Sequence, residues 1–269
     1  MAQAARVRAV AQDPPDQISR RTILGQAGGL GAALAGGALN PAGAEGAGQP
    51  VARSRLKVVV TGGHPGDPEY GCGGTVARYA DLGHDPVLLY LNKGLTPEAA
   101  RAGSAPDRVA EASKACDILK ARPVFAGQVD GNAIVDRQHY DRFHALLESE
   151  RPDVVFSHWP IDNHPDHRAI SMLVYDAWLR MKKSFALYYY EVSNGSDTVQ
   201  FAPTHYVDIT AVADRKRSAC YAHASQSPDR FFQLQETITR MRGIERGTAQ
   251  AEGFIRHVQS PDFTLPLLS

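Results

Sequence analysis

The sequence has few of the features that mark several large classes of protein. Its three cysteines, Cys72, Cys116 and Cys220, lie far apart in a chain of 269 residues. Such spacing argues against a disulfide framework or a paired-cysteine zinc knuckle and favours three buried thiols. Basic and acidic residues number 29 each, so the formal net charge is zero. The sequence has no basic stripe of the kind that indicates a nucleic-acid partner. It also has no polybasic run of the kind that indicates binding to anionic lipid.

The N-terminal region lacks a stretch suited to spanning a membrane. A weakly apolar run at residues 25–39 is too short and too rich in glycine. A Ser-Arg-Arg motif at residues 19–21 precedes it, and an Ala-Gly-Ala cleavage site at residues 42–44 follows it. This order predicts a twin-arginine-type signal segment, residues 1–44, that is removed on export. Residues 45–55 then form a linker, and we expect a periplasmic or secreted protein without stable membrane insertion.

From residue 56 onward, short apolar runs alternate with amphipathic stretches, without an internal repeat. Strands are predicted at residues 56–61, 85–91, 124–126, 154–156, 187–191 and 205–209, and helices at 73–82, 107–120, 141–150, 165–181, 211–224 and 231–243. Residues 92–106 are predicted to form a loop. The alternation predicts an α/β, Rossmann-like fold over residues 56–269, with a mostly parallel sheet flanked by helices. Ligands of such sheets bind at the C-terminal edge of the strands.

Two polar segments follow predicted strands and carry the chemistry. The first, His-Pro-Gly-Asp-Pro-Glu-Tyr-Gly-Cys-Gly-Gly, places His64 and Asp67 three residues apart. The second, His-Pro-Asp-His, contains His164 and His167. Two histidines and one carboxylate with room for water are typical of a catalytic zinc site that keeps an open position. The same donor types also suit Fe(II).

Each of the two segments also fits roles other than metal binding. The first segment also resembles a glycine loop that cradles phosphate, or it could hold a purely structural histidine. A dinucleotide fingerprint, however, needs Gly-x-Gly-x-x-Gly directly after the strand, where His64 and Asp67 stand instead. The second segment alone also fits a helix cap with surface histidines. Asp162, on the same loop as His158, fits a partner of a ligand, a helix cap or a functional carboxylate.

Together the two segments resemble the LmbE-like, or PIG-L-type, metal-dependent deacetylases. Those proteins carry His-Pro-Asp-Asp-Glu, then Gly-Cys-Gly-Gly, and later His-Pro-Asp-His. The resemblance extends from about residue 57 to residue 254 and implies an LmbE-like fold with a zinc site. It implies that the metal is held by His64, Asp67 and His167. It also implies that His164 polarises the substrate carbonyl and that Asp166 orients His164.

The resemblance extends to substrate contacts but breaks at one position. Arg108 and Asp130 match positions that contact the sugar substrate in relatives. The first aspartate of the family motif, its general base, is replaced by Gly66, and Pro68 stands where the family has glutamate. General-base assistance typically contributes 10²–10⁴ in rate.

Three outcomes of that replacement are open. Another carboxylate could act as the base: Glu69 is favoured because it lies on the same loop, with Asp162 and Asp130 as alternatives. Zinc alone could lower the pKa of water sufficiently. Alternatively, the protein no longer hydrolyses amides.

The resemblance therefore implies an exported zinc-dependent N-deacetylase that removes an acetyl group from an N-acetylated amino sugar or glycoconjugate. Two alternatives remain, since fold does not fix function. One is a zinc-dependent hydratase or lyase on the same fold, of the 4-oxalomesaconate type. The other is a metal-retaining carbohydrate-binding protein without hydrolase activity. In each case we expect a small-molecule or glycan partner and no nucleic acid.

Overall fold

A seven-stranded sheet organises the chain. The computed structural model describes residues 55–102, 107–262 and 265–268, so the predicted signal segment lies outside the described residues. The strands are β1 (Lys57–Gly62), β2 (Asp85–Asn92), β3 (Arg122–Gln128), β4 (Val154–His158), β5 (Ala186–Tyr190), β6 (His205–Asp208) and β7 (Ala251–Arg256). The described α-helices are α1 (Asp67–Asp81), α2 (Pro97–Ala102), α3 (Arg108–Leu119), α4 (Arg137–Glu150), α5 (Pro165–Arg180), α6 (Ala213–Tyr221) and α7 (Pro228–Arg246). None of them is long and apolar enough to cross a membrane.

The strand order is β3-β2-β1-β4-β5-β7-β6, and its direction reverses between β1 and β4. Such a reversal creates a crevice between these two strands. β1 pairs in parallel with both β2 and β4, so the chain runs outward through β2 and β3 and then returns to the other side of β1. Ligands of open α/β sheets bind beyond the carboxyl ends of the strands at such a reversal. The connections after β1 and after β4 therefore meet at the natural binding position.

Both faces of the sheet are covered, which explains the near-continuous apolar strands. In β1, Val58 and Val60 belong to one buried cluster, while Val59 belongs to the cluster on the opposite face. The first cluster packs against α1 residues such as Val76, and the second against α5 residues such as Leu173. A parallel sheet covered by helices on both faces has this pattern of burial.

The predicted α/β fold is confirmed, with its main differences in three places. α1 begins at Asp67, six residues before the predicted start, so the motif lies on the first turns of a helix rather than on a loop. Residues 92–106, predicted to be a loop, include the short helix α2. β7 was not predicted at all, and it pairs antiparallel with both β5 and β6, which makes the sheet mixed.

The glycines and the proline of the motif explain the early start of α1. Pro68 lies in the first turn, where its missing N–H breaks no helical hydrogen bond. A Cβ atom on Gly71 would lie 2.3 Å from Cδ2 of Tyr190, and one on Gly74 would lie 2.5 Å from Cγ2 of Ile209. These glycines are in the helix because α1 packs too closely for a side chain at either position.

A buried ion pair joins α6 to the last strand, β7. Lys216 Nζ and Glu252 Oε1 are 2.5 Å apart, with side chains 3% and 1% exposed. The Glu252 carboxylate also accepts hydrogen bonds from the backbone amides of Gly74, at 2.9 Å, and Thr75, at 2.7 Å, and from the Thr75 hydroxyl, at 2.6 Å. Glu252 thus connects β7, α6 and the middle of α1.

We expect Glu252→Gln to destabilise the fold, because it leaves the Lys216 ammonium buried without a counter-charge. Removing one partner of a buried ion pair typically costs about 3–5 kcal/mol. Urea denaturation measures the change in the free energy of unfolding. The matched control is Glu98→Gln in the exposed pair with Arg101, which should change stability by less than about 1 kcal/mol. Equal stability of both variants would contradict this role of Glu252.

Candidate metal centre

The connections after β1 and β4 bring the two predicted segments together. His64 lies just before α1, Asp67 is the first residue of α1, and His167 lies in the first turn of α5. Gly63 separates the two connections: a Cβ atom there would lie 3.0 Å from Cδ2 of His167 and 3.2 Å from Oδ2 of Asp67. Glycine at this position keeps the space between the side chains open.

One carboxylate oxygen, Oδ2 of Asp67, is the point on which the side chains converge. It lies 3.2 Å from Nδ1 of His64, 3.2 Å from Nε2 of His167 and 3.3 Å from Nε2 of His158. It also accepts a hydrogen bond of 2.8 Å from the backbone amide of His64. The three predicted metal ligands are therefore adjacent, and a third histidine, His158 at the end of β4, joins them.

These separations fit the coordination of a metal ion. Ligand atoms bound to zinc at about 2.0–2.2 Å in a tetrahedron lie about 3.3–3.6 Å from one another. The donor atoms of Asp67, His158 and His167 all lie within 4.8 Å of one another, as do those of His64, His164 and His167. Imidazole nitrogens and a carboxylate oxygen are also the donors that zinc prefers in catalytic sites.

The electrostatics of the cluster favour a cation. Burial lowers the pKa of His64 and of His167, but the Asp67 charge and further carboxylate contacts outweigh it, so the pKa of His64 lies well above its ordinary value and that of His167 rises to about 9. The pKa of Asp67 is held well below its usual range, because the charges of His167 and His64 outweigh burial. Burial and the neighbouring His167 charge lower the pKa of His158 to about 4.

Asp162 holds His167 in place. Its Oδ1 lies 3.0 Å from Nδ1 of His167 and accepts a 2.8 Å hydrogen bond from the backbone amide of His164, and its Oδ2 accepts a 2.9 Å bond from the Thr198 hydroxyl. A carboxylate on one ring nitrogen fixes the tautomer and the orientation in which the other nitrogen binds metal. Nε2 of His167 is therefore the nitrogen presented to Asp67.

Asp166 does not make the contact expected from the resemblance. Its carboxylate was predicted to orient His164, but Oδ2 lies 3.1 Å from Nε2 of His64. The same oxygen accepts hydrogen bonds from the Asn92 amide, at 3.1 Å, and from the backbone amide of Gly131, at 2.8 Å. Asp166 touches the His164 ring only through its backbone amide, which donates to Nδ1 at 3.2 Å. The first turn of α5 directs the side chain toward β1, which the sequence does not reveal.

His164 lies beside the predicted ligands and is partly exposed. It is the N-cap residue of α5, and its ring centroid is 4.6 Å from that of His64 and 4.7 Å from that of His167. Burial and the charges of His64 and His167 lower its pKa. A neutral His164 ring accepts the Asp166 N–H at Nδ1, so its proton is on Nε2.

Glu69, the favoured substitute base, is fully buried at the start of α1. Its Oε1 accepts a 2.7 Å hydrogen bond from the Tyr90 hydroxyl and lies 3.0 Å from Nε2 of His223, and its Oε2 accepts a 3.2 Å bond from the Gly66 amide. Among the described residues, these contacts include none of the three predicted metal ligands. One carboxylate oxygen thus holds the Gly66 turn, and the other is engaged by Tyr90 and His223.

The two predicted substrate contacts have different surroundings. Nε2 of His64 lies 3.1 Å from Oδ1 of Asp130, so Asp130 belongs to the cluster. Arg108 is only 8% exposed and donates a hydrogen bond to the carbonyl of Pro65. Burial lowers the pKa of Arg108, and its buried Nε has no hydrogen-bond partner among the described residues.

Sequence reasoning assigned no role to His158 or Asn92, which contact the cluster directly. Each lies at the last position of a strand, β4 or β2, on the side where the strands end. That position was the available signal, because the carboxyl ends of adjacent parallel strands share one edge of the sheet.

Comparisons with known proteins agree with this geometry. A family model described as GlcNAc-PI de-N-acetylase, PIG-L, matches residues 59–178, which include both segments. The diacetylchitobiose deacetylase of Thermococcus kodakarensis is 28% identical over 217 residues, which covers 73% of this chain and 81% of that protein.

Solved structures show the same fold. The conserved protein TT1542 of Thermus thermophilus is 26% identical, with a TM-score of 0.66, over 78% of this chain and 98% of that one. GalB, the 4-carboxy-2-hydroxymuconate hydratase of Pseudomonas putida, shares the fold at 20% identity and a TM-score of 0.66, over 78% of this chain and 99% of that one. The resemblance to the PIG-L, or LmbE-like, family that was read from the two segments is confirmed by the family model and by the deacetylase relative.

Proposed function

We propose that this protein is a metal-dependent N-deacetylase that acts on an N-acetylated amino sugar or glycoconjugate. The observation that carries the proposal is the convergence of imidazole nitrogens on Oδ2 of Asp67 at the reversal of strand order. The relative from Thermococcus kodakarensis, a diacetylchitobiose deacetylase, supports amide hydrolysis of an acetylated sugar. Its match extends well beyond the two segments, over 217 residues.

His64, Asp67 and His167 would hold the metal, with zinc favoured by the donor set and Fe(II) also compatible. A divalent ion bound there supplies Lewis-acid polarisation of a carbonyl and lowers the pKa of water. Asp162 keeps His167 oriented through Nδ1, and Asp166 does the same for His64 through Nε2. The chain thus fixes two of the three ligands by carboxylate contacts on their far nitrogens.

His164 is placed to stabilise developing charge on the substrate. Its Nδ1 accepts the Asp166 amide, so a neutral ring carries its proton on Nε2 as a hydrogen-bond donor. The ring is partly exposed beside the predicted ligands, where a substrate carbonyl would enter. A donor aimed at the carbonyl oxygen stabilises the oxyanion of a tetrahedral intermediate.

The residue at position 66 bears on whether the protein hydrolyses its ligand or only binds it. Gly66 supplies no carboxylate, and the contacts of Glu69 with the Gly66 amide and the Tyr90 hydroxyl support a role in the turn more than one in proton transfer. A metal-retaining carbohydrate-binding protein is therefore the second candidate function. The backbone at Gly66 has φ 115°, a conformation that side chains rarely adopt, although a Cβ atom would find no heavy atom nearer than 3.8 Å.

We expect His167→Ala to lose the ion held beside Asp67 and to release no acetate from an acetamido sugar, because it removes a ligand buried in the cluster. Elemental analysis of chelator-free protein and an acetate assay measure the two effects. The control is His144→Ala on α4, outside the cluster, which should keep both. Parent-level metal content in His167→Ala would show that the ligand assignment is wrong.

We expect Gly66→Asp and Gly66→Ala to destabilise the protein by similar amounts, about 1–3 kcal/mol, because both force a side chain onto the same positive-φ backbone. If the protein hydrolyses amides, the aspartate variant should release acetate at least about tenfold faster than the alanine variant, since only aspartate restores a general base. Thermal melts and acetate release test both expectations. Equal, absent acetate release from the parent and both variants, with metal retained, would favour the binding protein.

We also propose that the protein is exported with the segment before Glu45 removed, from the Arg20-Arg21 pair and the apolar run that follows. Cell fractionation and the mass of the mature chain test the proposal. A variant with Arg20→Lys and Arg21→Lys should accumulate unprocessed inside the cell, whereas a variant with Arg6→Lys and Arg8→Lys, outside the motif, should be exported normally. Identical location and mass for the parent and the first variant would rule out the twin-arginine route.

A further inference from the structure

We propose that His64, Asp130 and Asp166 form a second site for a divalent transition-metal ion, on the side of the His64 ring that faces away from Asp67. The proposed deacetylase function requires only one ion, so this inference goes beyond it. The two sites lie next to each other at the same edge of the sheet.

The geometry at Nε2 of His64 matches the geometry at Asp67. Nε2 lies 3.1 Å from Oδ1 of Asp130 and 3.1 Å from Oδ2 of Asp166. The donor atoms of the three residues all lie within 4.8 Å of one another. One imidazole nitrogen and two carboxylate oxygens form a donor set that zinc and other first-row divalent ions accept.

The described hydrogen bonds around this group leave one buried carboxylate oxygen without a partner. Asp166 is fully buried, and its Oδ1 has no hydrogen-bond partner among the described residues. The carboxylates of Asp130 and Asp166 meet at one ring nitrogen of His64, which can carry at most one proton. The Asn92 and Gly131 amides both donate to Asp166, and neither donates to Asp130.

Arg108 does not form an ion pair with either carboxylate of this group. Arg108 lies close enough for the charge of Asp130 to raise its pKa against the effect of burial, but its guanidinium donates to the Pro65 carbonyl. Within the described parts of the chain, Arg108 forms no salt bridge. Among the described residues, His64 is thus the one basic side chain that contacts both carboxylates, and a divalent ion at this position would pair with them as well.

Two ions can be held without sharing a ligand. Asp67, His158 and His167 form a group with donor atoms within 4.8 Å of one another, and none of these residues belongs to the group of His64, Asp130 and Asp166. His64 can therefore serve the second ion while His158 replaces it at the first. A two-ion centre lowers the pKa of water without a carboxylate at position 66, which this chain lacks.

Zinc stoichiometry tests the proposal without reference to activity. The full mature chain is stripped with chelator, titrated with Zn²⁺ and counted by calorimetry and elemental analysis. We expect two zinc ions per parent chain, one in Asp130→Asn and one in His167→Ala. The control Asp136→Asn, on the same β3–α4 connection, should bind two, because asparagine keeps the helix cap of α4 and leaves the cluster intact.

The experiment distinguishes failure of the second-site proposal from failure of the proposed function. A parent chain that binds one zinc, lost in His167→Ala and kept in Asp130→Asn, would overturn the second site and leave the proposed function standing. Unchanged zinc content in Asp130→Asn with a raised KM for sugar would also overturn it, because Asp130 would then be a substrate contact. The parent stoichiometry needs no variant, so an unfolded variant would not leave the proposal untested.

Discussion

The candidate site depends on the charge of Asp67. Three imidazole rings approach the same carboxylate oxygen to within 3.3 Å, and two of them have raised pKa values because of that charge. The reversal of strand order brings the rings together by placing the ends of β1 and β4 side by side. Asp162 and Asp166 then contact the ring nitrogens of His167 and His64 that face away from Asp67. The site is thus built outward from one buried negative charge that attracts cations.

Much of the fold could be predicted from the sequence because its signals are local. Apolar runs such as Val58-Val59-Val60 identify buried parallel strands, and the two His-containing segments follow such runs. The start of α1 at Asp67 could not be predicted, because Gly71 and Gly74 are there for contacts with Tyr190 and Ile209, which are distant in sequence. β7 was missed for the same reason: it exists through antiparallel pairing with β5 and β6.

Residue types in the site could be predicted better than contacts. The segments pointed to His64, Asp67 and His167, which the structure brings together, but spacing does not show which way a side chain points. Asp166 reaches His64 instead of His164, and Glu69 is directed to Tyr90 and the Gly66 amide. Both contacts are made across different elements of the fold, so no local pattern records them.

The contact between Glu252 and the middle of α1 has a kinetic consequence. Glu252 and Thr75 are 177 positions apart in the chain, so this contact with the helix that presents Asp67 forms after most of the polypeptide has been synthesised. Contacts of such long sequence separation form late and slow folding, since the intervening chain must first be ordered. A nascent chain that already displays both histidine segments therefore lacks this contact between β7 and the middle of α1.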